Sequence, residues 1–142
     1  MAAVRRCTCF SLRKATRAVT QLYDEFLRPT GLRTTQFSLL TVLRETGKVS
    51  ITELSEAAVM DRTTLKRNLE LLEREGLVKI QAGEDARVRE VTLTPAAQKK
   101  LVVALPYWAK AQAHVTNKLG QVRTDRLLTD LTAAITAVQP DS

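Results

Sequence analysis

The stretch that decides the fold is Ser50-Ile51-Thr52-Glu53-Leu54-Ser55-Glu56-Ala57-Ala58-Val59-Met60, followed directly by Asp61-Arg62-Thr63-Thr64-Leu65-Lys66-Arg67-Asn68-Leu69. Its pattern predicts two helices joined by a tight turn. Asp61 can cap the second helix by accepting hydrogen bonds from the free amides of its first turn. Leu65, Leu69 and Leu72 recur at helical spacing and are therefore expected to face a core.

The start of the first of these helices is open to two interpretations. Ser50 with Glu53 makes a capping box, and Val49 with Leu54 makes a hydrophobic staple. Alternatively, residues 49–51 form a short strand, and Thr52 is the cap.

The second helix is polar and basic on the side away from its leucines. Six side chains there suit base edges or phosphates: Arg62, Thr63, Lys66 and Arg67, with Thr64 and Asn68 toward one flank. Arginine and lysine can donate to guanine or phosphate, asparagine can read adenine, and threonine offers a hydroxyl and a methyl group. We therefore expect this helix to enter the major groove of DNA.

A β-hairpin is predicted directly after Gly76, which should end the helix. Residues 77–81 alternate as a strand, residues 82–87 turn, and residues 88–93 return. Helix, turn, helix and hairpin in this order predict a winged helix-turn-helix.

Two arginines lie near the tip of this wing, Arg87 and Arg89, and they share one face if the strand has begun by Arg87. A basic hairpin beside a reading helix can grip phosphates or enter the minor groove. Asp85 lies two residues before Arg87, so a charge-assisted hydrogen bond is expected to orient that guanidinium and pre-shape the wing tip.

The same residues resemble a known family, the MarR family of bacterial transcriptional regulators. The resemblance rests on Asp61-Arg62-Thr63-Thr64-Leu65, Leu72-Glu73-Arg74-Glu75-Gly76-Leu77-Val78, Asp85-Ala86-Arg87 and Val91-Thr92-Leu93-Thr94, and it extends to Tyr23-Asp24 and Leu27-x-Pro29-x-Gly31-Leu32. It implies a homodimeric repressor that responds to a ligand or to thiol oxidation.

The predicted fold is mainly α with a small β-wing, α+β in class, and forms one domain over residues 1–142. Residues 34–94 are expected to form the winged helix-turn-helix lobe, and residues 1–33 and 95–142 the dimerisation helices. The last helix, about 121–138, is too apolar on one face for a lone terminal helix. We therefore expect a two-fold homodimer on a pseudo-palindromic double-stranded operator.

Composition limits the alternatives. The net charge of +7 favours a polyanionic partner, but residues 1–33 hold much of it, with seven Lys and Arg against two Asp and Glu. No apolar run is long enough to span a membrane, and no signal peptide is apparent, so a cytoplasmic location is expected. A wing and helix of this kind could also serve a protein-interaction module without sequence-specific DNA binding.

Cys7 and Cys9 are the candidates for oxidant sensing. Cys9-Phe10-x-Leu12 is similar to the hydroperoxide-sensing branch of the MarR family, in which a cysteine at the start of the first helix becomes sulfenic acid. The helix dipole and nearby cations would favour a reactive thiolate there. Thr34 stands where that branch has a tyrosine, and Cys7 or a disulfide between subunits would have to resolve the sulfenate. Otherwise Cys9 is an inert apolar residue.

The alternative to cysteine oxidation as the regulatory signal is the binding of a small aromatic effector. Tyr23, Phe37, Tyr107 and Trp108 are the candidates to line its pocket, although aromatic residues at helical spacing are more often core. No nucleophile–base pair, paired carboxylates or phosphate-binding glycine loop is apparent, so an enzyme, a cofactor and a metal site are not expected.

Overall fold

The computed structural model describes residues 2–140. The bounds of its elements are α1 Ala2–Arg5, α2 Thr8–Leu27, a 3₁₀ turn Arg28–Thr30, α3 Thr34–Thr46, β1 Val49–Ser50, α4 Ile51–Ala58, α5 Arg62–Arg74, β2 Val78–Ala82, β3 Arg89–Leu93, α6 Pro95–Leu119 and α7 Gln121–Val138. The helices α3, α4 and α5 and the hairpin β2–β3 follow in winged helix-turn-helix order. The predicted fold class, mainly α with a small β-wing, is confirmed.

The start of α4 combines parts of both sequence interpretations. Val49–Ser50 is a strand that pairs with β3, with Val49 opposite Val91. The Ser50 hydroxyl nevertheless caps α4, because it accepts from the Glu53 amide at 3.0 Å. The expectation that a strand would move the cap to Thr52 is wrong, since one residue ends the strand and caps the helix.

The core of the lobe lies beneath α5 and the three-stranded antiparallel sheet, whose order is β1-β3-β2. Leu65, Leu69 and Leu72 of α5 are fully buried, as predicted, together with Leu54 of α4 and Val91 of β3. Burial of each leucine stabilises the fold by roughly 1.5–3 kcal/mol. This packing fixes which side of α5 faces solvent.

The ends of α5 form as its sequence predicts. Gly76 has φ +74°, a left-handed conformation that suits glycine, and the Leu77 amide donates to the Leu72 carbonyl at 2.9 Å. The turn before α5 is less relaxed, because Val59 has φ +51°, which is unfavourable for a β-branched residue.

The hairpin forms, but β2 spans residues 78–82 where 77–81 was predicted, and β3 begins one residue later than predicted. Strand β3 begins at Arg89, so Arg87 lies in the turn and does not share a strand face with Arg89. The reason is local: the Val88 amide donates to the Asp85 carbonyl at 2.9 Å, which keeps residues 85–88 in a turn.

Outside the lobe, α2 packs along α6, both helices contact α3, and α7 packs against α6. Two consecutive residues of α2 form hydrogen bonds with two different helices. The Tyr23 hydroxyl donates to Gln112 Oε1 on α6, and Asp24 Oδ1 accepts from the Thr34 amide at the start of α3 at 2.7 Å. Partial burial raises the pKa of Tyr23, so the phenol stays neutral and able to donate.

At the start of α6 the Thr94 hydroxyl accepts from the Ala97 amide and Pro95 lies in the first turn, and Pro106 lies inside the helix. Several large apolar side chains on α2 and α7 are exposed in the single chain: Phe10, Leu12, Val19, Leu127, Leu128, Ile135 and Val138. Over residues 2–140, no helix has both the length and the apolar character needed to cross a membrane.

Candidate nucleic-acid interface

Helix α5 presents a polar face because its leucines fix its rotation. Thr63 and Arg67 are exposed and, at about 100° per residue, lie opposite Leu65 and Leu69. Asp61 Oδ2 accepts from the Thr64 amide at 2.9 Å, which caps the helix as predicted. The Asp61 carboxylate also interacts favourably with the positive end of the helix dipole. The cap therefore stabilises the N-terminal turn, which carries the candidate DNA contacts.

The flanks of α5 differ in how their side chains are held. Arg62 Nη2 donates to Thr52 Oγ1 of α4 at 2.5 Å, so its guanidinium is tied to the neighbouring helix. Asn68 is half-buried, and its Nδ2 donates to the Thr64 carbonyl at 2.9 Å. One amide proton of Asn68 is thereby bonded within its own helix. The Asn68 side chain is therefore less available for a DNA contact than those of Thr63, Lys66 or Arg67.

A groove of about 440 Å³ runs between α5 and the wing. It is lined by Ser50, Ile51, Thr52, Arg62, Lys66, Glu70, Glu73, Ile80, Arg87, Val88 and Arg89. The structure thus brings four of the predicted cations to one concave surface, which we call the basic groove. Thr63, Thr64, Arg67 and Asn68 of the predicted set lie outside its lining.

The wing tip contains the predicted ion pair. Asp85 Oδ1 accepts from Arg87 Nε at 3.2 Å, and Asp85 Oδ2 accepts from Arg87 Nη2 at 3.1 Å, a two-point contact that fixes the plane of the guanidinium. The side chain of Arg87 is 89% exposed. The Arg87 side-chain bonds, and then its backbone amide, lower the pKa of Asp85, which therefore remains charged.

Two side chains absent from the sequence prediction help to build the basic groove. Glu73 Oε2 accepts from the Ile80 amide at 2.9 Å and ties α5 to the wing strand. Thr52 holds Arg62, as described above. Neither contact has a local sequence signal, because the partners are seven and ten residues apart and lie on different elements.

The Asp61 cap gives a test of the helix start. Hydrogen bonds from Thr64 lower the pKa of Asp61 below its ordinary value of 3.8. A lowered folded-state pKa adds stability above the unfolded pKa, and this stability is lost as pH falls through the folded value. In urea unfolding, Asp61→Ala should be less stable than wild type at neutral pH, and the difference should vanish in acid.

Asp61→Asn is the matched control, because asparagine caps helices well and does not titrate. It should keep most of the neutral-pH stability. An alanine variant that stays less stable by the same amount at every pH would contradict the assigned role of the carboxylate.

Both cysteines are exposed at the start of α2. Cys7 is the N-cap residue of α2, and Cys9 lies in its first turn. The helix thus begins at Thr8, between the two thiols.

The four aromatic candidates do not form one pocket. Phe37 and Trp108 stack with ring centroids 6.2 Å apart and line a cleft of about 90 Å³ together with Leu101 and Arg44. Tyr23 is engaged with Gln112, and the Tyr107 ring lies under Lys110 Nζ at 5.6 Å from its centroid. In the part of the chain the structure describes, no cluster of His, Cys, Asp or Glu could hold a metal ion.

Comparison with known proteins gives consistent matches. A model described as the MarR family matches residues 30–87. YwoH, an uncharacterised HTH-type transcriptional regulator of Bacillus subtilis (strain 168), is 32% identical over 100 residues, which cover 70% of this chain and 73% of the relative.

Solved structures agree over more of the chain. The crystal structure of the M. tuberculosis transcriptional regulator MosR in complex with DNA has 40% identity and a TM-score of 0.82, covering 95% of this chain and 100% of that chain. A probable transcriptional regulator from Pseudomonas aeruginosa has 27% identity and a TM-score of 0.83, covering 93% and 99%. These relatives are regulators and not enzymes, which confirms the expectation of no catalysis. The chain belongs to the MarR family of transcriptional regulators.

Proposed function

We propose that this protein is a homodimeric, sequence-specific repressor that binds double-stranded DNA at a pseudo-palindromic operator. One observation carries the proposal: one flank of α5 and the wing meet in the basic groove, whose lining includes Arg62, Lys66, Arg87 and Arg89. A helix with this face suits the major groove, and the wing then meets the neighbouring backbone. MosR, at 40% identity, has been crystallised with DNA, which supports this assignment.

The candidate contacts divide by chemistry. Thr63 and Arg67 lie opposite the core and suit base edges, whereas Arg87 and Arg89 at the wing suit phosphates or the minor groove. Glu70 and Glu73 also line the groove and partly offset its positive charge. The local pattern of donors therefore supports DNA binding more strongly than the net charge does.

Exposed apolar side chains support the homodimer. Leu128 and Ile135 of α7 are 51% and 46% exposed, and Phe10 of α2 is 44% exposed. Helices α2 and α7 both pack against α6, and their exposed apolar side chains are stabilised when a second surface covers them. We propose that residues 1–33 and 95–142 supply this surface to a second copy and that residues 34–94 carry the DNA contacts. Residues 1, 141 and 142 of these ranges lie outside the described part of the chain.

For the release of DNA we propose oxidation of the thiols of Cys7 and Cys9. Both are exposed, whereas the Phe37–Trp108 cleft of about 90 Å³ is smaller than typical ligand pockets of roughly 300–1,000 Å³. A hydroperoxide would be the oxidant. The Cys9 sulfur attacks one peroxide oxygen, the O–O bond breaks, and the second oxygen leaves as water or an alcohol after taking up a proton. The sulfenic acid can then condense with a Cys7 thiol of the same or the second chain, releasing water.

The test is fluorescence anisotropy with DNA from upstream of the protein's own gene and a shuffled duplex of equal composition. Tight binding to the first duplex and weak binding to the second are expected. Hydrogen peroxide should release wild type but not Cys9→Ser. Equal affinity for both duplexes at every salt concentration would favour the protein-interaction module, and peroxide-resistant binding would favour a small aromatic effector.

A further inference from the structure

We propose that Thr52 is a positioning residue for DNA reading, whose hydroxyl aims the Arg62 guanidinium into the basic groove. This inference rests on the proposed function. Arg62 Nη2 donates to Thr52 Oγ1 at 2.5 Å, and both residues line the basic groove. Thr52 lies on α4, outside the reading helix, so it acts on DNA through Arg62.

The Thr52 hydroxyl is available for this role because another residue caps α4. Ser50 Oγ accepts from the Glu53 amide, and that bond satisfies the helix terminus. Thr52 is the second residue of α4, and its side chain is exposed. Its hydroxyl can therefore accept from Arg62 without leaving an orphaned amide in the first turn.

Arg62 needs such an anchor because of where it lies. It is the first residue of α5, and Lys66 is one turn further along the same flank. Like charges at this spacing repel, so an unanchored Arg62 would spread over several rotamers away from Lys66. A single bond to Nη2 restricts the guanidinium plane while its other donors stay available for a planar, two-point contact with guanine or phosphate.

Two arginines that line the basic groove are held by different groups. Arg87 is held by the Asp85 carboxylate, which offsets its charge, whereas Arg62 is held by a neutral hydroxyl. A neutral acceptor orients the guanidinium and leaves its full positive charge for the nucleic acid. Thr52 should therefore affect how precisely Arg62 is placed more than how strongly the protein is attracted to DNA.

The experiment compares Thr52→Val, Thr52→Ser, Arg62→Ala and the Thr52→Val/Arg62→Ala double variant. Each is titrated against a duplex that wild type selects from a randomised pool and against that duplex with single base-pair changes. Thr52→Val should lose about three- to tenfold in discrimination, the range expected when one long side chain must be ordered on binding. Its salt dependence should be unchanged, and Thr52→Ser should behave as wild type.

The double variant separates positioning from direct contact. Thr52→Val should cause no further loss in the Arg62→Ala background, because its effect passes through the arginine. An equal loss in both backgrounds, or no loss in either, overturns the inference. Thr46→Val is the matched control, since Thr46 is also exposed and its hydroxyl bonds only to the Val42 carbonyl of its own helix.

A measurement without DNA keeps the two proposals distinguishable. Arginine side-chain ¹⁵N NMR of the free protein should show slowed guanidinium rotation for Arg62 in wild type and faster rotation in Thr52→Val. Identical spectra overturn the positioning inference even if operator binding is specific. Slowed rotation in a wild type that selects no sequence from the pool instead overturns the proposed function, and the positioning inference with it.

Discussion

Leu128→Glu is expected to convert the dimer to a monomer at micromolar concentration and to abolish tight operator binding. Leu128 is 51% exposed on α7, beside the exposed Leu127 and Ile135. Covering one leucine contributes roughly 1.5–3 kcal/mol. A two-fold interface contains every substitution twice, and each glutamate would also have to be desolvated or leave the interface.

Operator binding should fail for a separate reason. Two linked lobes bind two half-sites with a high effective concentration, and a monomer loses this advantage. Sedimentation equilibrium measures the assembly, circular dichroism checks the fold, and anisotropy measures operator affinity. Ala133→Glu is the matched control, because Ala133 is exposed on α7 about 140° around the helix from Leu128. A Leu128→Glu variant that stays dimeric, or a wild type that is monomeric, would refute the proposed interface.

Arg67→Ala is expected to cost sequence discrimination more than overall affinity. Arg67 is exposed opposite the buried face of α5, where a major-groove contact is possible. A good two-point contact with a base contributes about 1–3 kcal/mol of discrimination. A homodimer would make that contact in each half-site, so the loss should be twice that of a single lobe.

Arg87→Ala is the comparison variant, since its side chain lies at the wing tip and is paired with Asp85. It should weaken binding to all duplexes alike and reduce the slope of log K against log salt by about one for each lost phosphate contact. Both variants are measured on matched and mismatched duplexes over a salt series. If Arg67→Ala lowers affinity equally for every sequence, Arg67 is a phosphate contact and not a base reader.

The lobe could be predicted from sequence where one residue determines a local structure. Asp61 as a cap, Gly76 as a helix end and the three leucines of α5 each follow from short-range rules, and the structure confirms them. The wing was also predicted by short-range rules, from strand alternation on both sides of a turn after Gly76. The start of β3 at Arg89 was harder to predict from sequence, because it depends on a hydrogen bond within the turn.

The basic groove was only partly predictable. Its cations were found from their position on one helix and one hairpin, but Thr52 and Glu73 act across elements, where sequence spacing says nothing about distance. For the predicted aromatic pocket, the sequence grouped residues that the fold separates. Composition grouped Tyr23 with Phe37 and Trp108, whereas the fold directs Tyr23 to Gln112 and leaves only the other two in contact.

The adjacent residues Tyr23 and Asp24 make α2 a common support for two parts of the molecule. Tyr23 bonds to α6, and Asp24 bonds to the first turn of α3. A tilt of α2 must therefore break one bond or carry both neighbours with it. In the proposed dimer two such supports are related by two-fold symmetry, so a tilt that shifts each lobe perpendicular to the symmetry axis would move the two lobes, with their reading helices, in opposite directions. The separation of the reading helices would then change by twice the component of that displacement along the line that joins them.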